Sequence, residues 1–279
     1  MELSIAIPTS LVSDVPHLRE KTSHLGMIGR AIAIFRVDEV IIYPDRLSEN
    51  QSRDADLIST ILSYMETPQY LRKHLFPMIP SLRYASILPP LRTPHHPLAK
   101  RIADLKNGEF REGVVVKAGR EILVDIGVEH PISLNEGNAS LGQRITVKVS
   151  KNNSKIGIER TERSKISGIY WGYHVDVSKL ALGQILRRDV FDLVVLTSRY
   201  GKPLTEVVEE FRGRWRKASK VLVAFGSPKQ GLREILAHEG IKMEDIDAMT
   251  INTVPHQGTE TVRTEEAIYI TLAVINIII

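Results

Sequence analysis

Apolar and polar positions along the chain fall into two textures, with the second set inside the first. Residues 3–8 (LSIAIP) are an apolar run closed by proline, and residues 17–35 carry Leu25, Ile28, Ile32 and Phe35 at helical spacing. Residues 39–43 form a second apolar run, ended by Pro44-Asp45, and residues 54–65 put Leu57, Ile58, Ile61 and Leu62 on one side of a helix. Thr67-Pro68 opens a shorter helical piece that runs to Leu75. Short apolar runs alternating with amphipathic helices predict a parallel sheet covered by helices. The pattern breaks at 76–97, where Pro77, Pro80, Pro89, Pro90, Pro94 and Pro97 mark a linker or domain edge. Beyond it, 112–117 (EGVVVK) and 121–126 (EILVDI) read as strands joined by Ala118-Gly119-Arg120, a hairpin signal. Residues 130–134, 144–150 and 155–159 add three more short strands, with Asn152-Asn153 in a turn. Short strands without helices predict a small five-stranded barrel of the OB kind. After residue 164 the first texture returns. Strands are expected at 168–175, 192–197, 220–225 and 248–253, and helices at 178–186, 204–216, 231–239 and from Thr264 on. The far end of that last helix is almost wholly apolar, which predicts that protein encloses it. The pattern therefore gives an α/β domain in two pieces, 1–90 and 165–279, with a barrel at 91–164 inserted between them.

Composition narrows the chemistry. The 279 residues leave room for both a sheet domain and a barrel. The absence of cysteine excludes disulfides, thiolate-ligated zinc and a cysteine nucleophile, including the one used to methylate carbon 5 of pyrimidines. It agrees with a reducing compartment, and a cytoplasmic location is expected. Residues 1–10 lack a basic start, so no signal peptide is expected. The uncharged run 267–279 falls short of the roughly 18 apolar residues of a membrane span, so no membrane partner is expected. A pI near 9.2 permits a nucleic-acid partner. The basic residues gather late in the barrel, at Arg144, Lys148, Lys151, Lys155, Arg160, Arg163 and Lys165, against Glu159 and Glu162. They read either as an RNA-binding face or as a solvated strand face.

Three strands of the second α/β piece run into polar loops that contain glycine: 197–201 (TSRYG), 225–231 (FGSPKQG) and 252–264. Ligands of open α/β sheets bind at the carboxyl ends of strands, and glycine lets backbone approach them closely. None of the loops has the GxGxxG or GxxxxGK[ST] spacing, which weighs against dinucleotides and nucleoside triphosphates. His95-His96 lies in the proline-rich stretch without an acidic neighbour in sequence, so it reads as linker, and no metal site is expected.

FGSPKQGL at 225–232 and NTVPHQGTETVRTEEA at 252–267 resemble the second and third motifs of the SPOUT, or α/β-knot, methyltransferases. HLGMIGRAIAIFRVDEVIIYP at 24–44 is similar to their first motif, a helix with an arginine followed by a strand. The likeness spans the whole α/β part, and the inserted barrel points to the archaeal and eukaryotic branch with rRNA-directed members. It implies a trefoil-knotted parallel sheet with the C-terminal segment threaded through a loop, and a homodimer. It implies S-adenosyl-L-methionine as cofactor, RNA as substrate and methyl transfer by direct displacement. By position, Gly226, Ser227, Gly231, Ile251, Asn252, Pro255, Gly258, Thr259 and Thr264 would line the cofactor, Thr197 and Arg199 would close the site, and Arg30 would be the catalytic residue that activates or orients the acceptor. His24, Pro228 and Arg263 depart from the branch that methylates the 2′-hydroxyl, so base and 2′-O methylation both stay open. An acceptor that carries a proton also needs a base. Glu265, Glu266 and His256 are the nearest candidates, although acids in a first helical turn also suit the helix dipole. The alternative is a non-catalytic RNA-binding protein on the same fold, and a methyltransferase for small molecules or proteins comes third.

Overall fold

The chain begins with β1 (Glu2–Pro8), α1 (Leu18–Ile34), β2 (Glu39–Tyr43), α2 (Ser52–Glu66) and the short α3 (Arg72–Leu75). Five strands follow: β3 (Phe110–Lys117), β4 (Leu123–Asp125), β5 (Ile132–Ser133), β6 (Arg144–Asn152) and β7 (Lys155–Thr161). The chain closes with β8 (His174–Val177), α4 (Leu182–Leu186), β9 (Leu193–Pro203), α5 (Val208–Lys217), β10 (Lys220–Ala224), α6 (Leu232–His238), β11 (Met249–Asn252) and α7 (Thr264–Ile278). This computed structural model describes residues 1–135, 137–152 and 155–279. Two compact units emerge, one of Met1–Ser63, Ser81–Pro89 and Tyr173–Ile279, the other of Tyr64–Pro80 and Pro90–Gly172.

The first unit is built on a parallel six-stranded sheet of order β11-β9-β10-β1-β2-β8, so strands from before and after the barrel interleave. β1 is central, with Ile5 opposite Val223 of β10 and Val40 of β2. Every residue of β1 after Glu2 is buried, as expected of a parallel strand covered on both faces. One face packs Leu222, Leu196 and Tyr43 against Leu182, Ile235 and Leu236 of α4 and α6. The Tyr43 hydroxyl, buried in that core, donates to the Phe225 carbonyl at 2.7 Å and so ties the end of β2 to the end of β10. Along α1, Leu25, Ile28 and Ile32 turn inward. α7 turns Ile268, Leu272 and Ile275 inward, but Ile277 is 78% exposed and Ile279 48%. The apolar tail expected to be enclosed therefore keeps an open side in the single chain, because only one stripe of the helix meets the sheet domain.

The second unit carries an antiparallel five-stranded sheet of order β5-β4-β3-β6-β7. A bridge between Leu134 and Ile158 draws its two edges together, so the sheet is nearly closed around Val115, Val124, Ile145, Val147 and Ile158. Asn153 of the expected turn lies outside the described residues.

Two expectations are corrected. No strand covers 168–175; β8 begins at His174, because Gly168 and Gly172 take φ of 77° and 83°, which a strand does not accept. The aromatic residues between them are anchors, and Trp171 donates to Glu112 Oε1 at 2.6 Å. The proline-rich stretch is not a loose linker either. Leu91, Thr93 and His95 are buried, and His95 Nε2 lies 3.3 Å from Glu66 Oε1, an acidic partner that sequence proximity does not reveal. Among the described residues no helix is long and apolar enough to cross a membrane.

Candidate functional site

The ladder between β11 and β9 breaks at one point. Thr250 pairs with Leu196, but the next residue, Ile251, pairs with Lys202, so residues 197–201 swing out of the sheet. Gly201 lets the strand return, since a Cβ there would lie 2.7 Å from the Ile251 carbonyl carbon. The excursion faces the loop after β10 and the loop after β11, and together they bound a cleft of about 250 Å³. Three expected loops thus meet at one place, two of them at the carboxyl ends of β10 and β11 and one within β9, which lies between those strands.

The polar side chains here mainly brace the loops. Thr197 Oγ1 donates to the Ala224 carbonyl at 2.9 Å, and Thr264 Oγ1 to the Gly226 carbonyl at 3.1 Å. Asn252 donates from Nδ2 to the Arg199 carbonyl at 2.9 Å and accepts from the Val254 N–H at 2.8 Å. Arg199 donates to the Glu260 carbonyl at 2.9 Å. Ser227 Oγ accepts from the Gln230 N–H at 3.0 Å, folding that loop back on itself. A Cβ at Gly226 would stand 2.9 Å from the Gln230 carbonyl oxygen, so only glycine fits this turn. The Gln230 side-chain oxygen is buried and has no hydrogen-bond partner among the described residues. A buried acceptor of this kind costs about 1–3 kcal/mol unless something binds it.

Of the expected residues, Thr197, Arg199, Gly226, Ser227, Gly231, Asn252 and Thr264 line the cleft. Ile251 is fully buried in the sheet behind it, and Pro255 is exposed away from it. Gly258 and Thr259 line an adjoining hollow with Met27, Glu266 and Tyr269. Arg30, on α1, sits close enough for its charge to act on the Tyr269 hydroxyl, whose pKa burial raises and Arg30 opposes. Glu265 is held by His24 Nδ1 at 3.2 Å, and Glu266 caps α7 through the Arg263 N–H at 3.0 Å. Sequence reasoning missed Gln230, Lys229 and the Thr253–Thr271 hydroxyl pair at 2.9 Å. Gln230 was within reach, as it stands inside the FGSPKQGL motif. Among the described residues no group of three or more His, Asp or Glu could hold a metal ion.

The basic run of the barrel is partly internal. Arg144 donates to Glu66 Oε2 at 2.7 Å and to Glu112 Oε2 at 2.6 Å, and Arg163 reaches Glu66 Oε1 at 2.9 Å. Burial alone would raise both carboxylates. The His95 hydrogen bond and the two guanidinium charges outweigh it at Glu66, and Arg144 and Arg163 do so at Glu112, so both stay below the usual carboxylate range. Arg160 donates to the Asn138 carbonyl at 3.0 Å.

A family model described as "Putative RNA methyltransferase" matches residues 2–275. The chain belongs to this RNA methyltransferase family. An uncharacterized protein of Halobacterium salinarum is 36% identical, with 98% of each chain aligned. The 28S rRNA (uridine-N(3))-methyltransferase of Homo sapiens is 31% identical over 97% of this chain and 77% of its own length. The enzyme of the same name from Drosophila melanogaster is 30% identical, over 97% of this chain and 61% of its own. The resemblance drawn from the motifs is borne out at the level of family, and with it an enzyme that transfers a methyl group to RNA. Membership implies a methyl donor and an RNA substrate.

Proposed function

We propose that this enzyme uses S-adenosyl-L-methionine to methylate N3 of a uridine in ribosomal RNA, with the donor held in the cleft between loops 197–201, 225–231 and 252–264. The observation that carries the reading is the cleft itself: three braced loops whose backbone is open to a ligand, with the Gln230 oxygen waiting for an N–H donor such as an adenine amine. The human and fly relatives, named for N3 of a uridine in 28S rRNA, support the substrate class.

When bound, S-adenosylmethionine supplies a methyl group activated as a sulfonium. The chain's part is alignment and exclusion of water. Thr197, Asn252 and Thr264 hold the loops at fixed spacing, and Gly226 keeps the floor free of side chain. Uridine N3 must give up its proton, to solvent, before it attacks the methyl carbon, and the C–S bond breaks with the sulfur leaving as a neutral thioether. Arg30, whose charge reaches Tyr269 in the lining of the hollow of Gly258 and Thr259, would favour the anionic pyrimidine. On this reading Arg30 is the catalytic residue.

The finer features follow the same reading: the closing segment threaded as a trefoil knot, the barrel an OB fold that grips RNA, and a cytoplasmic homodimer. Met27, Ile34 and Ile277, exposed apolar side chains on α1 and α7, support a dimer contact. The central test is calorimetry with S-adenosylmethionine, joined to transfer of labelled methyl to ribosomal RNA from cells lacking the enzyme. Binding and a methyl group mapped to uridine N3 are expected. A protein that binds no donor, or a methyl group found on ribose, would sink the proposal.

A further inference from the structure

A second hollow, of about 580 Å³, opens beside the donor cleft and shares Lys229 and Gln230 with it. Its other walls are residues 46–49, which follow β2, and His238 at the end of α6. It lies over the point where the sheet reverses: from β1 the chain moves to β2 on one side, and from β10 it moves to β11 on the other. Such switch points are where open α/β sheets hold ligands.

The wall at 46–49 is rigidly mounted. Asp45, 2% exposed, accepts the Ser10 N–H at 3.0 Å, the Ser10 hydroxyl at 2.5 Å and the Gln51 amide at 2.9 Å. Gln51 Oε1 in turn accepts the N–H groups of Asp45 at 3.2 Å and Arg46 at 3.0 Å. The Arg46 guanidinium is steadied by Ser13 and by Glu49, each at 3.2 Å. Glu49 is the one carboxylate of the lining and is already paired with Arg46. Among the described residues Lys229 and His238 have no ion-pair partner. The frame fixes the Arg46 guanidinium at the edge of a hollow whose lining sets Arg46 and Lys229 against Glu49, a net positive charge that suits an anion.

We propose that this hollow seats a backbone phosphate of the RNA strand beside the nucleotide being methylated. The inference rests on the adjoining cleft being the donor site. The acceptor atom must come within about 3–3.5 Å of the methyl group, so the neighbouring phosphates of the same strand fall over the loops next to the cleft. Phosphate contacts set register and orientation, while base contacts select the nucleotide. Arg46 would bind the phosphate from the fixed side, and Lys229 and His238 from the α6 side.

The test uses Arg46→Ala, His238→Ala and the double variant, all outside the donor cleft, with Arg46→Lys as the variant that keeps the charge. Three quantities are read on the full chain: donor affinity by calorimetry, binding of single-stranded oligouridylate across a salt series, and kcat and KM for transfer to ribosomal RNA from cells lacking the enzyme. Arg46→Ala is expected to weaken RNA binding roughly tenfold and to lower the salt slope by about one, and His238→Ala to weaken binding by less. KM should rise with kcat and donor affinity unchanged, and Arg46→Lys should keep the wild-type salt slope. Wild-type RNA affinity and slope in the double variant would overturn the proposal. So would a loss of donor affinity as large as the loss of RNA affinity, since the hollow would then be part of the donor site. So would inorganic phosphate at millimolar concentration displacing no RNA from the wild type. If the wild type neither binds donor nor transfers methyl, yet Arg46→Ala still weakens RNA binding, the donor reading falls and the phosphate seat stands.

Discussion

In the second unit Glu66 accepts from Arg144 and Arg163, and Glu112 accepts from Arg144, Thr146 and Trp171. At the strand ends of the first unit, Thr197, Asn252 and Thr264 bond only to backbone groups. The first cluster is dense in charge and closed in on itself, and its carboxylates are held ionised by buried partners. The second is braced through uncharged side chains, and it bounds a cleft and leaves the buried oxygen of Gln230 unmatched. Charge density is therefore a poor guide to the proposed donor site. Paired charges build scaffold, and small braces that free backbone for a ligand build the site.

The largest effect should come from breaking the charged cluster. Glu66→Ala leaves Arg144, Arg163 and His95 facing a buried void, and about 3–5 kcal/mol of stability should be lost. Denaturant unfolding measures it, and calorimetry on the folded fraction should return the wild-type donor affinity. A change in donor affinity without a stability loss would collapse the contrast between the two regions. Next comes Gly226→Ala, which forces a Cβ to 2.9 Å from a backbone oxygen. Donor affinity should fall on the order of a hundredfold as the loop shifts to clear the contact, and stability should fall by no more than the roughly 1–3 kcal/mol of strain. Third is Thr264→Val, which removes the hydroxyl bond to the Gly226 carbonyl at 3.1 Å. A three- to tenfold loss of donor affinity is expected, in line with about 1 kcal/mol for such a bond. An unchanged affinity would mean that the loops need no brace.

Much of the scaffold is legible in the sequence, because a parallel strand buried on both faces must be apolar throughout. IAIP in β1 and VLVA in β10 show this. The loops were legible too, since glycine and small polar residues after such strands have few other uses. The return of β9 to the sheet beyond the 197–201 loop was not, because a register jump between β9 and β11 depends on pairing with residues some fifty positions away. The charged cluster was hidden for the same reason: Arg144 and Glu66 are 78 residues apart, and from the sequence alone Arg144 read as part of a basic stripe facing either RNA or solvent. The run at 168–175 misled because aromatic residues favour strands, whereas here glycines in left-handed conformation set Trp171 as an anchor. Pro255 and Ile251 show the limit of carrying a motif over residue by residue. Both belong to the motif, but one ends up in solvent and the other in the core.

The smallest effect at neutral pH, and the sharpest divider of the two regions, concerns His96. Its Nε2 bonds the Glu66 carbonyl at 2.7 Å, and burial together with the neighbouring His95 pushes its pKa down to about 4. An unfolded histidine titrates near 6.5, so between those values the unfolded chain binds more protons than the folded one. Stability must then rise with pH across that window, and conversely fall as pH drops from 6.5 towards 4. Glu66 and Glu112 act lower. Their folded pKa values are depressed, so their contribution is complete above the unfolded value of 4.5 and is lost only as pH falls below it. His96→Gln keeps a donor for the Glu66 carbonyl and removes the titration. Wild-type stability should decline by about 1.6 kcal/mol between pH 6.5 and 5, the slope growing towards 1.36 kcal/mol per pH unit. The variant should stay flat there and decline only below about 4.5, with the glutamates. Donor affinity should follow neither curve, since the cleft residues that brace the loops are threonines and an asparagine, which do not titrate in this range. Equal slopes in variant and wild type would assign the acid response to another group, and a donor affinity that tracks the His96 window would link the two regions.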